Sequence, residues 1–174
     1  LVDYGPAFEY LKWSTGQTTV DAEMTYSNSN QVITNWDSKY GGTMTVREAL
    51  YTSRNIPAVK AFQEVGVDRA KEFLSNVGIE TKELYESDAI GGGHVNISPI
   101  QMAASYAAFG NNGMYNDPHS ILKVIFRDGK TSKSYKSEST VAMSDSTAYM
   151  VTDILRDTVS NKPGASAQAA KVSG

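Results

Sequence analysis

The sequence predicts an α+β fold that is mostly helical, with one hairpin and the start of a sheet strand. Three observations predict it: apolar residues recur at helical spacing, capping signals mark several helix starts, and one strand-like stretch contains a tight-turn signal. The 174 residues are 40% hydrophobic and 20% charged, which is the composition of an ordinary globular domain. We therefore expect residues 1–174 to form a single domain, incomplete at both ends.

The first two segments differ in character. The opening stretch "LVDYGPAFEYL" has no signal-peptide pattern, and four of its residues have the spacing of one helix face: Val2, Ala7, Phe8 and Leu11. Residues 13–44 are polar and rich in turn formers, so we expect a long surface excursion there. Its carboxylates Asp21 and Glu23 are expected on a solvated face.

Two helical patterns then flank a polar break at Ser53-Arg54-Asn55. Thr45 to Glu48 fits a capping box, in which the threonine hydroxyl and the glutamate side chain each serve the other residue's backbone amide. After the break, Pro57 suits the first turn of a second helix because its missing N–H has no helical partner there. Gly66 is a natural end for that helix.

Four further elements are predicted behind these two helices. The first is a helix from about Asp68 to Val77, capped by Asp68 and ended by Gly78, and the second is a helix that follows the Ser98–Gln101 capping box and ends at Gly110. The third element is a hairpin that turns at Asp128-Gly129. The fourth is a helix from about Ser144 to Val159, whose core face consists of Ala148, Val151, Ile154 and Leu155. The helix before Gly110 is rich in alanine, so we expect it to pack closely and to be central. The final "QAAKVSG" is expected to begin a strand.

Charge and composition exclude several classes of function. The net charge is −3 and the basic residues are scattered, which argues against a nucleic-acid partner. The chain has no cysteine, so disulfides and thiolate metal sites are excluded. The longest apolar stretch, "IQMAASYAAF", is much shorter than the ~20 residues of a membrane span, so no membrane contact is expected for this segment.

Two glycine-containing stretches were weighed as binding sites. Gly129-Lys130-Thr131 resembles the end of a phosphate-binding loop, but the required earlier glycine would fall on Val124, so turn chemistry explains it better. Gly91-Gly92-Gly93 could present amides to an anion, although no strand–loop–helix frame surrounds it. The only histidines, His94 and His119, form no metal-ligand pair, and we expect neither a metal nor a cofactor.

The polar break itself contains a Ser-x-Asn sequence. With 19 serines and 10 asparagines in the chain, about one such sequence is expected by chance, and one occurs, at Ser53 to Asn55. Taken alone, the triplet is therefore best interpreted as a polar turn between two helices. Its position on a short connection between capped helices keeps a functional interpretation open.

Three long stretches resemble the transpeptidase domain of bacterial class A penicillin-binding proteins, the streptococcal members in particular. "GTMTVREALYTSRNIPAVKAFQEVG" resembles the segment that carries the second of three active-site motifs, Ser-x-Asn. "AIGGGHVNISPIQMAASYAAFGNNGMY" and "DSTAYMVTDILRDTV" resemble later segments, in the same order. The fold implied is that of penicillin-binding proteins and serine β-lactamases.

The resemblance implies roles for two residues. The family works with Ser-x-x-Lys, Ser-x-Asn and Lys-Thr-Gly. Ser53 and Asn55 would be catalytic residues, Ser53 in a proton relay and Asn55 bonding the motif lysine and the substrate amide, so that Asn55 also binds substrate. Arg54, the variable middle residue, is expected to point outward.

The resemblance also implies a function for a longer parent protein. The nucleophile motif would lie just before Leu1 and Lys-Thr-Gly just after Gly174, so the chain is expected to carry only Ser-x-Asn. The implied activity is D,D-transpeptidation of peptidoglycan on the extracytoplasmic face of the membrane. Its implied partners are stem peptides, β-lactams and the remaining segments of the domain. The alternative is a non-catalytic peptidoglycan- or partner-binding module of the same fold.

Overall fold

The helices of the protein surround one core. A computed structural model describes residues 1–172. Its helical elements are α1 (Tyr4–Tyr10), α2 (Val46–Tyr51), α3 (Asn55–Val65), α4 (Val67–Asn76), α5 (Pro99–Gly110), α6 (Asp145–Thr158) and two 3-10 turns at Glu86–Ile90 and Gln168–Ala170. Together with short strands, these helices confirm the predicted α+β class.

The strands pair two by two and stay short. They are β1 (Thr18–Asp21), β2 (Gly42–Thr45), β3 (Met114–Asn116), β4 (Lys123–Ile125), β5 (Ser132–Ser134) and β6 (Ser139–Val141). The antiparallel pairs are β1 with β2, β3 with β6, and β4 with β5. The β4–β5 pair is the hairpin predicted around Asp128-Gly129, and Gly129 has the positive φ of +66° that such a turn requires.

Helix α1 lies inside the helical cluster, against α3, α4 and α6. Its residues Ala7 and Phe8 are buried, as the predicted helix face requires. The close approach of α1 to α4 depends on Gly5, because a Cβ at that position would lie 2.9 Å from the ring of Phe73. Any larger residue would therefore push the two helices apart.

The predicted helix starts are largely confirmed. Ser98 and Gln101 form the complete capping box at the start of α5. The Thr45 hydroxyl accepts the Glu48 amide at the start of α2, which is one half of the predicted capping box, and the Ser144 hydroxyl caps α6 in the same way. These caps fix where the chain enters α2, α5 and α6.

Two predicted boundaries were wrong. Asp68 does not cap α4, because the helix begins one residue earlier behind Gly66, which leaves Asp68 in the first turn, where its charge favours the helix dipole. Residues Gln168 to Ala170, where the final strand was expected to begin, form a 3-10 turn. Ser173 and Gly174 lie outside the described residues, so the last part of the expected strand stays a prediction.

The prediction that α5 is central was also wrong. One face packs against α6 and β3 and buries Ser105, Ala108 and Phe109. On the other face, Ile100 and Tyr106 are about half exposed. Small residues let α5 approach its neighbours closely on one side, but they do not require neighbours on both sides.

Residues 13–44 are more ordered than the expected surface excursion. They contain β1 and most of β2, with Thr18 opposite Thr45 and Asp21 opposite Gly42. Between these strands, Ile33 is buried in a small apolar cluster with Ile56 and Val59 of α3. This cluster fixes the segment that follows Ile33 against the beginning of α3. Within residues 1–172, no helix combines the length and the apolarity that crossing a membrane requires.

Candidate active site

The connection between α2 and α3 is three residues long, from Thr52 to Arg54. The amide of Ser53 donates to the carbonyl of Leu50 at 3.0 Å, and the amide of Arg54 donates to that of Ala49 at 2.9 Å. Helix α3 begins at the next residue, Asn55. Ser53 is exposed and has a φ of +58°, a left-handed conformation that is uncommon and unfavourable for a residue with a side chain. The turn thus presents a serine from a strained backbone position.

Arg54 holds this turn to the β1–β2 region. Its side chain is buried, and Nε donates to Asp21 Oδ2 at 2.7 Å. Nη1 donates to both oxygens of Asp37, at 3.1 and 3.0 Å, and Nη2 donates to the carbonyl of Lys39. The planar guanidinium therefore meets acceptors from three places in the segment that precedes β2.

Asn35 connects the same anchor to Asn55. Its Nδ2 donates to the two carboxylate oxygens of Asp21, at 2.9 and 3.1 Å, and to the Lys39 carbonyl at 2.8 Å. Its Oδ1 accepts the backbone amide of Asn55 at 2.8 Å. That amide is one of the first-turn donors of α3 that lack a helical partner, so Asn35 caps α3 from a distance. The Asn55 side chain completes the link by donating from Nδ2 to the Thr34 carbonyl at 2.7 Å.

The buried charges of this network are paired with each other. Asp21 has no exposed surface, and a carboxylate so buried is tolerated only when it is paired and hydrogen-bonded. Arg54 supplies the paired charge, although a cation at the start of α3 is otherwise opposed by the helix dipole. Partial loss of water raises the pKa of Asp37, but the Lys39 amide and the Arg54 guanidinium outweigh this and leave that pKa lowered.

Comparison with known proteins gives consistent matches over nearly the whole chain. Residues 3–174 match the family model described as the penicillin binding protein transpeptidase domain. The chain belongs to the penicillin-binding protein transpeptidase family. This finding confirms the resemblance of the three long stretches of sequence.

Individual relatives agree with this family. The chain is 47% identical to penicillin-binding protein 1A/1B of Bacillus subtilis, over 97% of this chain and 19% of that protein. It is 39% identical to penicillin-binding protein 1A of Streptococcus pneumoniae, over 98% of this chain and 24% of that protein. The chain therefore spans only about a fifth to a quarter of these curated relatives.

A solved structure supports the same fold. The ceftriaxone acyl-enzyme complex of penicillin-binding protein A from Mycobacterium tuberculosis superposes with a TM-score of 0.77 at 16% identity. The match covers 87% of this chain and 39% of that one. It confirms the fold of the penicillin-binding protein transpeptidase domain.

For this transpeptidase-family chain, two expectations about the motif region were wrong. Arg54 does not point outward, and Asp21 does not lie on a solvated face, because the two residues form a buried ion pair. Glu23 is exposed, as expected. A signal for the pair was present: a cation at a helix start favours an acidic partner, and the polar segment 13–44 offers only Asp21, Glu23 and Asp37.

Trp36 is a further residue of this region that the sequence patterns did not single out. Its indole Nε1 donates to the carbonyl of Thr52 at 3.2 Å, directly before Ser53. The side chain is nonetheless 69% exposed. An aromatic surface therefore lies beside the exposed serine of the Ser-x-Asn triplet.

Both described ends of the chain approach this part of the molecule. Leu1 and Leu50 line the same cleft, of about 450 Å³, together with Gly91 to Gly93. Near the other end, the amide of Ser166 donates to the carbonyl of Tyr51 at 2.9 Å. From the family resemblance we expect Ser53 and Asn55 to lie at the floor of a cleft between the two chain ends, and this stays a prediction because Gly174 lies outside the described residues.

One Ser-x-x-Lys spacing does occur inside the chain, at Ser120 to Lys123, contrary to the expectation that Ser-x-Asn is the only motif spacing present. These residues are exposed and lead into β4, with no helix at this position. In a helix, residues three positions apart share a face, whereas in extended chain they lie on opposite sides. Ser120 and Lys123 therefore lack the helical frame that would bring hydroxyl and amine together.

The other two candidate sites have structural explanations. Asp88 accepts both the backbone amide and the ring nitrogen Nδ1 of His94, each at 3.1 Å, so the amide that directly follows Gly91 to Gly93 is already paired with a carboxylate. In the β4–β5 hairpin, Asp128 accepts the amides of Lys130 and Thr131 at 3.0 and 2.8 Å. The turn interpretation of Gly129-Lys130-Thr131 is confirmed.

Proposed function

We propose that the parent protein of this chain is a peptidoglycan D,D-transpeptidase that cross-links stem peptides through a serine acyl-enzyme and is inhibited by β-lactams. One observation carries the proposal within this family: Ser53 is exposed in a strained conformation beside an Asn55 that is held by a buried network. Strained residues persist where the surrounding structure over-determines them, and they cluster at active sites.

The proposed reaction has two steps. The serine of a Ser-x-x-Lys motif, outside this sequence, attacks the carbonyl carbon of the penultimate D-Ala, and the amide bond to the last D-Ala breaks. The serine proton passes to a base, and the departing amine receives a proton. An amine of a neighbouring stem then attacks the acyl-serine ester, forms the cross-link and restores the hydroxyl. A β-lactam opens to an ester of the same serine, which hydrolyses slowly.

Ser53 and Asn55 have separate roles in this proposal. The Ser53 hydroxyl relays the proton between the motif lysine and the departing amine. One Nδ2 hydrogen of Asn55 is already donated to the Thr34 carbonyl. The other hydrogen is available to a substrate carbonyl, and the Oδ1 lone pairs are available to the lysine ammonium. Asn55 thus binds substrate and also orients the lysine.

The proposal implies partners and a location. The site takes peptidoglycan stem peptides and β-lactams, and it is completed by the remaining segments of the parent's transpeptidase domain. Peptidoglycan is assembled outside the cytoplasm, so we place the site on the extracytoplasmic face of the bacterial membrane, on a membrane-anchored parent. No metal or cofactor takes part in the proposed reaction.

The test compares three alanine variants of the intact parent. Ser53→Ala and Asn55→Ala should each slow acylation by a labelled penicillin by on the order of 10–1000-fold, because each removes positioned hydrogen bonds or a proton path. Ser38→Ala is the matched control, since Ser38 is also an exposed serine with positive φ, +57°. Stopped-flow measurement of the acylation rate gives the comparison.

Two outcomes would contradict the proposal. If Ser53→Ala and Asn55→Ala react as fast as Ser38→Ala, the triplet is only a turn. If the intact parent forms no penicillin adduct, the non-catalytic binding module of the same fold is the better explanation. Peptide mapping by mass spectrometry also locates the adduct, and an adduct at Ser53 or Ser120 would mean that the nucleophile is misassigned.

A further inference from the structure

We infer that Arg54, the variable residue of the Ser-x-Asn triplet, is a positioning residue for both of its neighbours. It acts through Asp21 and Asn35 and fixes where Ser53 and Asn55 lie relative to the reacting groups. The inference deepens the proposed function and rests on it. It assigns a catalytic contribution to a side chain that is turned away from the site and buried.

The first part of the argument is the geometry of the guanidinium. Its donors are fixed in one plane, and they meet Asp21, Asp37 and the Lys39 carbonyl at the same time. Because the guanidinium is planar, it can bond all three acceptors at once in only one orientation. Because the Arg54 backbone directly joins Ser53 to Asn55, fixing this side chain also limits the backbone on both sides of it.

The second part is the route through Asn35. Its Nδ2 atom is occupied by Asp21 and by the Lys39 carbonyl, so its Oδ1 atom is the one that faces the Asn55 amide. Asp21 is therefore the common anchor of two paths to the motif. One path runs through the side chain of Arg54 and the other through that of Asn35.

The third part is the strain at Ser53. A serine with φ of +58° costs free energy unless its surroundings hold it there. On its N-terminal side the turn is held by backbone bonds to the end of α2. On its C-terminal side it is held by the buried Arg54 side chain. Loosening Arg54 would therefore let Ser53 leave the position from which its hydroxyl acts.

Arg47 provides a matched comparison within the chain. It also bridges two aspartates, donating to Asp153 at 2.6 Å and to Asp157 at 2.7 Å. These bonds join α2 to α6, and among the described residues neither aspartate is hydrogen-bonded to Ser53, Arg54 or Asn55. Both arginines thus bridge two aspartates, but the partners of Arg54 lie in the segment that precedes β2, whereas those of Arg47 lie in α6.

The experiment replaces each arginine by lysine in the intact parent protein. Lysine keeps the charge but presents a single ammonium in place of a planar fork, so it cannot satisfy the three acceptors of Arg54 together. Arg54→Lys should lower the acylation rate constant at saturating labelled penicillin by about 10- to 100-fold, the effect of misplacing reacting groups by about 1 Å. Arg47→Lys should react at the rate of the unmodified parent.

The measured quantity separates positioning from folding. A purely structural role would reduce the fraction of protein that reacts, but it would leave the rate constant of the folded fraction unchanged. The amplitude and the rate constant are therefore determined separately, with the thermal midpoint of each variant. An Arg54→Lys protein that is destabilised but reacts at the parent's rate would overturn the inference.

A second variant covers the case in which Arg54→Lys does not fold. Asn35→Ala keeps the side chains of Arg54 and Asp21 and removes the acceptor for the Asn55 amide, together with the Asn35 bonds to Asp21 and to the Lys39 carbonyl. It should slow acylation in the folded fraction, and an unchanged rate constant would contradict the inference. Failure of the proposed function is distinguishable, because in that case Ser53→Ala and Asn55→Ala would also react at the parent's rate.

Discussion

Two polar turns of this protein, Ser53 to Asn55 and Asp128 to Thr131, are held in opposite ways. In the hairpin turn, the carboxylate of Asp128 accepts amides that lie two and three positions further along the chain. In the α2–α3 turn, Arg54 bonds Asp21, which lies 33 positions away. The hairpin turn therefore depends on its own sequence, whereas the α2–α3 turn depends on a distant segment.

The difference also appears in the residue that adopts positive φ. In the hairpin this residue is Gly129, which tolerates that conformation without cost. In the α2–α3 turn it is Ser53, which does not. A turn that only reverses the chain can use glycine at this position. Under the proposed function, the α2–α3 turn has to present a hydroxyl, which is why it keeps a serine there at an energetic cost.

The largest expected effect is on stability when the distant anchor is broken. Arg54→Ala in the intact parent leaves Asp21 as a buried unpaired carboxylate, which should lower the free energy of unfolding by about 3–5 kcal/mol. Lys130→Ala in the hairpin turn, at an exposed position, should change it by less than about 0.5 kcal/mol. Denaturant unfolding measures both values.

A double variant tests the reason for that loss. Replacing Asp21 by asparagine in the Arg54→Ala background removes the unpaired charge and should recover part of the lost stability. A double variant no more stable than Arg54→Ala would show that the buried charge is not the cause. The contrast between the two turns would then lose its electrostatic basis.

A smaller effect is expected from exchanging the residues of positive φ. Gly129→Ala should lower the free energy of unfolding by about 1 kcal/mol, through backbone strain alone, since a Cβ there would meet open space. Penicillin acylation should be unchanged in Gly129→Ala.

Ser53→Gly should change the free energy of unfolding by less than about 1 kcal/mol and yet slow acylation severely. Equal acylation rates in the two variants would contradict the functional difference between the turns.

The smallest effect is expected in acid. The pKa of Asp128 is lowered by hydrogen bonds from the Thr131 hydroxyl and from the Thr131 and Lys130 amides, and that of Asp37 is also lowered. A carboxyl with a lowered pKa in the folded state stabilises the fold above its ordinary pKa of 3.8, and this contribution is lost as the pH falls further.

Asparagine at either position should therefore weaken the loss of stability in acid. The effect should be larger for Asp37→Asn than for Asp128→Asn, because Asp37 is paired with a buried guanidinium. Unfolding measured at pH 7 and at about pH 3 provides the comparison. An equal acid sensitivity of the two variants would remove this distinction between the turns.

Much of the fold could be predicted from the sequence because its signals are local. The Ser98–Gln101 capping box, the Ser144 cap and the β4–β5 hairpin depend on residues within a few positions of one another. Ser53 and Asn55 could be singled out only through the resemblance to a family, since their spacing occurs at about its chance frequency.

The remaining features depend on contacts that no local pattern encodes. The Asp21–Arg54 pair was missed because each residue, taken alone, has the sequence surroundings of a solvated charge, and the cation at the start of α3 does not indicate which acidic residue it contacts. The exposure of α5 could not be seen because an alanine-rich pattern does not say how many neighbours a helix has. In both cases the structure depends on contacts with residues that are distant in the sequence.

The network behind Ser53 also has a consequence for exchange of gene segments between related proteins. All of its side chains fall between Asp21 and Asn55, in one uninterrupted stretch. A recombination junction outside this stretch transfers all members of the network from one parent gene. A junction between Asp37 and Arg54 instead takes the aspartates from one parent and the arginine from the other. Viable mosaics are therefore expected to have their junctions before Asp21 or after Asn55, unless the two parents match at every member of the network.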